Sequence, residues 1–355
     1  MRRLWTSGLL VAVIGALGAV YLSLWPIDVD PAPMDLPPSP GFEGAYARND
    51  RLNSLQRLAD GLLNGPEDVL LDSEGRLITG LVDGRVVRFR PGEAIVETLV
   101  NTGGRPLGLA LDAAGALWIA DARRGLLRHH EGQLAVMSDA EGGRRFRFTD
   151  ELAIAPDGVV YFTDASARYG PERYRDDFFE HRPNGRLLRF DPVSGETSLV
   201  LGGLYFPNGV VLSPDGAALF VAESGMARIL RVPLGVVDPQ PTALVENLPG
   251  YPDNLSMSAE GVIWAALFAP RHAQAEALMR NPAWTRAILR LPAALRPAPA
   301  RVGVALGISP SGEILHNLQD PTGRFAPVTS VIEVDGHLYL GSLTERAVGT
   351  LPAPQ

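Results

Sequence analysis

Cysteine is absent from all 355 residues, so disulfides, thiolate metal sites and cysteine nucleophiles are excluded, while an oxidising compartment remains permitted. Any metal ion must therefore be held by oxygen or imidazole. Histidine is scarce, with six copies, and no lysine stands near the strand starts discussed below. Basic character is lacking too: a net charge of -8 and a pI near 5.3 argue against a nucleic-acid binder, which would show a basic patch or domain. No Gly-x-Ser-x-Gly elbow and no glycine-rich phosphate loop occurs. What remains is ordinary globular composition, 46% hydrophobic and 20% charged, enough for one large domain or two small ones.

Charge is missing altogether from residues 8–25, "GLLVAVIGALGAVYLSLW". This run is close to the roughly 20 residues a spanning helix needs. Arg2 and Arg3 precede it and Asp28 and Asp30 follow, which places residues 1–7 in the cytoplasm and the rest outside. A cleaved signal peptide is the competing reading, with Ala16-Leu17-Gly18 as a small-x-small site. Bulky Tyr21, Leu22, Leu24 and Trp25 carry the apolar run past that point and favour an uncleaved anchor. Pro26, Pro31, Pro33, Pro37, Pro38 and Pro40 then make residues 26–50 a stiff, extended spacer rather than packed structure, with the folded domain beginning near residue 50.

From Gly65 onward a unit repeats: apolar strand, Gly-containing turn, apolar strand. The copies are "EDVLLDSEGRLITG", "LGLALDAAGALWIAD", "DELAIAPDGVVYFTD", "NGVVLSPDGAALFVAE", "DNLSMSAEGVIWAAL" and "TSVIEVDGHLYLGSL". All but the last are followed by a third strand-like run: "RVVRFRP", "GLLRHHEG", "GRLLRFDP", "ARILRVPL" and "AILRLPAA". First strands that are almost wholly apolar are expected where both faces are buried between sheets. Radial four-stranded blades satisfy this pattern, and the predicted fold is an all-β, six-bladed β-propeller over residues 51–355. The last copy has too little chain behind it for a full blade, so residues 51–63 are expected to supply its outer strand and close the ring.

If each first strand descends to its Gly turn, all first strands begin at one face beside the central channel. Asn208, heading "NGVVLSPDG" where Pro214-Asp215-Gly216 already forms the turn, is then a channel residue. Glu67, Asp150, Asp253 and Asn254 occupy equivalent heights in blades one, three and five. Each alone is most simply a cap or turn former. Together, carboxylates and amides converging on one axis suit a hard cation such as calcium, because like charges at a narrow hub repel without one. Another divalent cation would also fit, and Arg105 is the only local counter-charge.

The segments "GPEDV", "RPLGL", "LYFPNGVVLSPDG", "YPDNLS" and "DGHLYLGSL", in this order, resemble the superfamily of gluconolactonase/regucalcin, diisopropyl fluorophosphatase, paraoxonase and strictosidine synthase. The nearest resemblance is to the strictosidine-synthase-like branch, which includes membrane-anchored animal proteins with arylesterase activity. The resemblance implies a calcium shell at Glu67, Asn208, Asp253 and Asn254, with Asp150 replacing an expected amide. Asp68 would match a ligand of a second calcium, for which no full shell is visible. Thr329 stands where strictosidine synthase has its catalytic glutamate, so that condensation is not expected. Leu107 stands where paraoxonases have a channel histidine.

The expectation is a calcium-dependent hydrolase of lactones or aryl esters, with Asp253 the first choice for the carboxylate that activates water or attacks, and Glu67 chiefly a ligand. The alternative is a non-catalytic, extracytoplasmic binding propeller plugged by calcium. Insertions at 167–184 and 269–286 carry Tyr169, Tyr174, Phe178, Phe179, Met279 and Trp284, with His181 and His272, and should lie over the hub as apolar lids for a small hydrophobic ester or lactone. His129, His130 and His337 have surface or turn positions. The membrane is a partner through the N-terminal anchor, nucleic acid is not, and a bacterial protein of this kind would be periplasmic.

Overall fold

A computed structural model describes residues 13, 15, 16, 18, 20–292, 295, 296 and 299–354. Six four-stranded antiparallel sheets account for nearly all of the regular structure. Blades one to five run in chain order from Val69–Leu71, Pro106–Leu111, Thr149–Ile154, Pro207–Leu212 and Gly250–Met257 as their innermost strands. Blade six begins at Ser330–Val334 and takes its outermost strand from the other end of the chain, Gln56–Leu58, which pairs with Val348–Pro352. The six-bladed propeller and its closure by residues 51–63 are therefore as the repeat implied.

The apolar character of the inner strands has a direct packing cause. Six separate hydrophobic clusters fill the six seams between neighbouring blades, such as Ile78, Val86, Leu109 and Ile119 between blades one and two, or Phe220, Ile229, Leu255 and Leu306 between blades four and five. Each middle strand thus buries one face in each of two cores. At its far end an acid turns back onto the loop that enters the same blade: Asp121 accepts the Arg105 amide (3.0 Å) and Asp164 the Phe148 amide (3.0 Å). These contacts hold the strand starts at fixed height.

Two expectations need correction. "AILRLPAA" is not the third strand of blade five: residues Pro282–Arg290 form an α-helix, capped by the Asn281 side chain with Pro282 in its first turn. The third strand is Gly303–Ile308. The second insertion is accordingly longer than residues 269–286. Nor does the proline-rich segment stand free of the fold. It is extended, but Val29, Met34 and Leu36 are buried, and the Ala32 and Met34 amides donate to Glu180 and Met279 carbonyls. Proline composition signalled extension correctly; alternating buried side chains need a surface to pack on, which the lids supply.

The expected anchor, residues 8–25, lies partly outside the described residues. Residues 20–24 are helical, and among the described residues no helix is long and apolar enough to cross a membrane.

Candidate metal centre and pocket

Four inner strands share one irregularity. Between Pro106 and Leu109, Thr149 and Leu152, Pro207 and Val210, and Pro252 and Leu255, three steps along the inner strand oppose two on its neighbour. A bulge of this kind releases the intervening residues from the ladder and re-aims their side chains. The released residues are Leu107-Gly108, Asp150-Glu151, Asn208-Gly209 and Asp253-Asn254. In blades one and six, Glu67-Asp68 and Thr329 come immediately before the inner strand. All five expected ligands are thus brought to one level of the channel, and all are buried.

Close approach of the blades depends on the two glycines. A Cβ on Gly209 would lie 2.4 Å from the Leu255 nitrogen, and one on Gly108 would lie 2.2 Å from Glu151 Oε1. The pair Asn208-Gly209 therefore couples an amide aimed at the axis with the contact that seats blade four against blade five.

The polar accounting at the hub is incomplete. Asn254 donates to Glu67 Oε1 (3.1 Å), and Thr329 Oγ1 donates to the Glu67 carbonyl (2.7 Å). Glu67 Oε2, Asp150 Oδ2, Asn208 Oδ1 and Asn254 Oδ1 are buried without a hydrogen-bond partner. Orphaned buried acceptors carry a desolvation cost that a cation would offset. Burial pushes the Glu67 carboxyl up to about 7, against the pull of Arg105 and of the Asn254 amide. Burial and then the Glu67 charge raise Asp150 and Asp253 well above the carboxylate range. Among the described residues no three His, Asp or Glu side chains cluster closely enough to hold an ion by themselves. The unpartnered oxygens come equally from carboxylates and amides, a donor set suited to a hard cation.

Arg105 is 5% exposed. Its guanidinium donates to the Gly65 carbonyl through both terminal nitrogens (3.2 and 3.3 Å) and, among the described residues, makes no direct ion pair. It acts on Glu67 and Asp150 through space. Asp68 and Glu151 are engaged by backbone instead, accepting the Leu109 amide (3.1 Å) and the Leu152 amide (2.7 Å) respectively.

Above the hub lies a cavity of about 220 Å³. Glu67, Asp150, Asn208 and Asp253 contribute to its lining, with Arg105 and Arg123 on the same boundary; Leu107, Phe148, Phe178, Phe206, Phe268 and Leu343 supply apolar wall. Phe178 comes from the first insertion, on the helix Tyr174–Glu180, and its ring meets those of Phe206 (4.7 Å), Phe268 (5.5 Å) and Tyr251 (5.6 Å). Tyr174 also lines the cavity. The remaining large lid side chains do not: Tyr169 bonds Glu180, Phe179 and Met279 pack beneath the proline-rich segment, and Trp284 is exposed.

Neither insertion histidine lines the cavity. His181 terminates its helix, meets the Tyr205 ring at a tilt and is pushed down to about 4 by burial. His272 accepts the Ala275 amide as a helix cap. The wall residues Phe148 and Phe206 were not foreseen, although each stands two positions before a site residue, in "FTD" and "FPN", and that repeated spacing was available.

A family model described as strictosidine synthase matches residues 150–234, and one described as strictosidine synthase-like, N-terminal, matches residues 44–89. Strictosidine synthase-like protein 4 of Arabidopsis thaliana is 34% identical over 313 residues, covering 85% of this chain and 83% of its own. The adipocyte plasma membrane-associated protein of Rattus norvegicus is 34% identical over 357 aligned residues, covering 93% of each. Among solved structures, a gluconolactonase from Xanthomonas campestris superposes with a TM-score of 0.62 at 18% identity, over 92% of this chain and 99% of that one. A calcium-binding protein, regucalcin, from Agrobacterium tumefaciens does so with 0.58 at 15%, over 83% and 92%. Those two likenesses show the propeller fold. The sequence matches show more, and on them the chain belongs to the strictosidine synthase-like family.

Proposed function

We propose that the protein is a hydrolase of lactones or aryl esters that works with a divalent cation, calcium, at the propeller hub. The observation that carries this reading is the set of buried, unpartnered oxygens on Glu67, Asp150, Asn208 and Asn254 beneath an apolar cavity. Those four residues and Asp253 would hold the ion. Calcium, when bound, supplies a Lewis acid for the ester carbonyl and charge for the oxyanion.

The chain's own groups account for the rest. Phe178, Phe206, Phe268 and Leu107 take the apolar part of the substrate and keep bulk water from the hub. Asp253 borders the cavity beside Asn208. In this proposal it takes the proton of an attacking water or attacks the carbonyl carbon itself. Glu67 is fixed by Asn254 on one oxygen and keeps the other for the ion. The gluconolactonase and regucalcin likenesses lend support at the level of fold.

A non-catalytic binding propeller is the second reading. It is favoured by Leu107 and Thr329, which bring no acid or base from blades two and six; the Thr329 hydroxyl is committed to the Glu67 carbonyl. Calorimetric titration of calcium into the metal-stripped chain, followed by a lactone and aryl-ester panel, separates the readings. We expect binding that Asp253→Ala weakens by at least about tenfold, and that fades as pH falls below about 7, where Glu67 holds its proton. Binding with no turnover would support the second reading; no binding would sink both.

A further inference from the structure

We infer that residues 28–38 form a strap that positions both lids, and through them Phe178 and the shape of the pocket. Its first half is fastened to the first lid. The Asp30 amide donates to Glu180 Oε1 (3.1 Å) and the Ala32 amide to the Glu180 carbonyl (2.8 Å). Glu180 is fully buried, and its carboxylate is completed by Tyr169 Oη (2.9 Å), Asn184 Nδ2 (3.0 Å) and Arg168 (3.0 Å). The strap amide is therefore one of the donors that satisfy a buried charge, whose loss is costly.

Its second half is fastened to the second lid. The Met34 amide donates to the Met279 carbonyl (3.1 Å), Arg280 to the Leu36 carbonyl (3.1 Å), and Arg271, itself buried and paired with Glu276, to the Pro37 carbonyl. Met34 and Leu36 bury against Met279, Phe179, Met226 and Tyr251. The Asp30 carboxylate joins the two halves, since it pairs with Arg182 of the first lid (2.6 Å) and Arg286 of the second (2.9 Å).

The route to the pocket is short. Phe179 packs under the strap while its neighbour Phe178 faces the cavity, and Tyr251 touches both the strap cluster and the Phe178 ring. The helix carrying both side chains is only two turns long, so loss of the cover over Phe179 should loosen the element that presents Phe178, whose ring is otherwise held by Phe206, Phe268 and Tyr251. Proline suits this job because an extended backbone with few accessible states loses little entropy on docking.

The test is limited trypsin digestion of the full-length chain against Met34→Ser/Leu36→Ser, with Met34→Ala as a milder second variant. Opening of the lids alone should speed cleavage after Arg173, Arg175, Arg280 and Arg286 by at least about tenfold in the double variant, and less in the single one, while cleavage after Arg88, Arg189 and Arg231 in the blades is unchanged. Unchanged lid cleavage in the folded single variant, or equal acceleration in lids and blades, would overturn the inference. The effect on substrate choice rests on the hydrolase reading; the digestion does not. If turnover is found, KM for a bulky aryl ester should rise severalfold with kcat within about twofold, and a fall in kcat at constant KM would count against a positioning role.

Discussion

At the residue scale, the charge balance of the hub turns on Asp150 and Arg105. The family resemblance implies an amide where Asp150 stands, which adds a carboxylate to a ring that already holds Glu67 and Asp253. Arg105, buried and free of a direct ion pair among the described residues, is the cation that meets this excess. With a divalent ion bound, the guanidinium would offset part of the negative charge of Glu67, Asp150 and Asp253, to which the nearby buried Asp68 and Glu151 add. Arg105→Gln should therefore tighten calcium binding by roughly tenfold in calorimetry, since a positive charge several ångströms from the ion is removed at low effective dielectric. Weaker binding would show instead that Arg105 matters by holding the Gly65 turn in front of Glu67.

At the scale of elements, the bulge is the unit that makes the site. Two released residues in each of four inner strands give the channel eight positions, and their identities, Leu107, Asp150, Asn208 and Asp253 with their neighbours, decide which blades contribute chemistry. Blade six shows how the ring is kept closed: Gln56–Leu58 pairs with Val348–Thr350, and Leu52 just before it is 2% exposed among Trp264, Phe325 and Leu351. Leu52→Ala should cost about 2–4 kcal/mol in denaturant unfolding through the cavity it leaves. An unchanged midpoint would mean that the closing segment contributes little beyond its three ladder residues.

For the whole molecule, the lids, the strap and the descent of the N-terminal segment lie together. Arg290 of the second insertion donates to the Leu22 and Trp25 carbonyls (2.8 and 2.6 Å), tying the end of the apolar stretch to the lid side. The uncharged, apolar composition of residues 8–25 carries the expectation of an anchor. The chain should stay in the pellet when membranes are washed at alkaline pH, and release into the supernatant would rule the anchor out.

Strand periodicity, the glycine turns and the truncated last copy determined the six blades and their closure, because both-face burial and a period of one blade leave their mark residue by residue. The level of Glu67, Asp150, Asn208, Asp253 and Asn254 followed from the same repeat. Folding alone decided the rest. A bulge is a mismatch between two strands and has no signature in one of them, so the aim of Asn208 and the need for Gly209 appear only when blade five is in place. The helix at Pro282–Arg290 was hidden by an apolar run too short to distinguish 3.6 from 2 residues per repeat, although Asn281-Pro282 marked its start. The proline-rich stretch could declare itself extended, but not docked, since its partners Glu180, Arg271 and Met279 are about 150 to 240 residues away along the chain and meet it only on the finished top face.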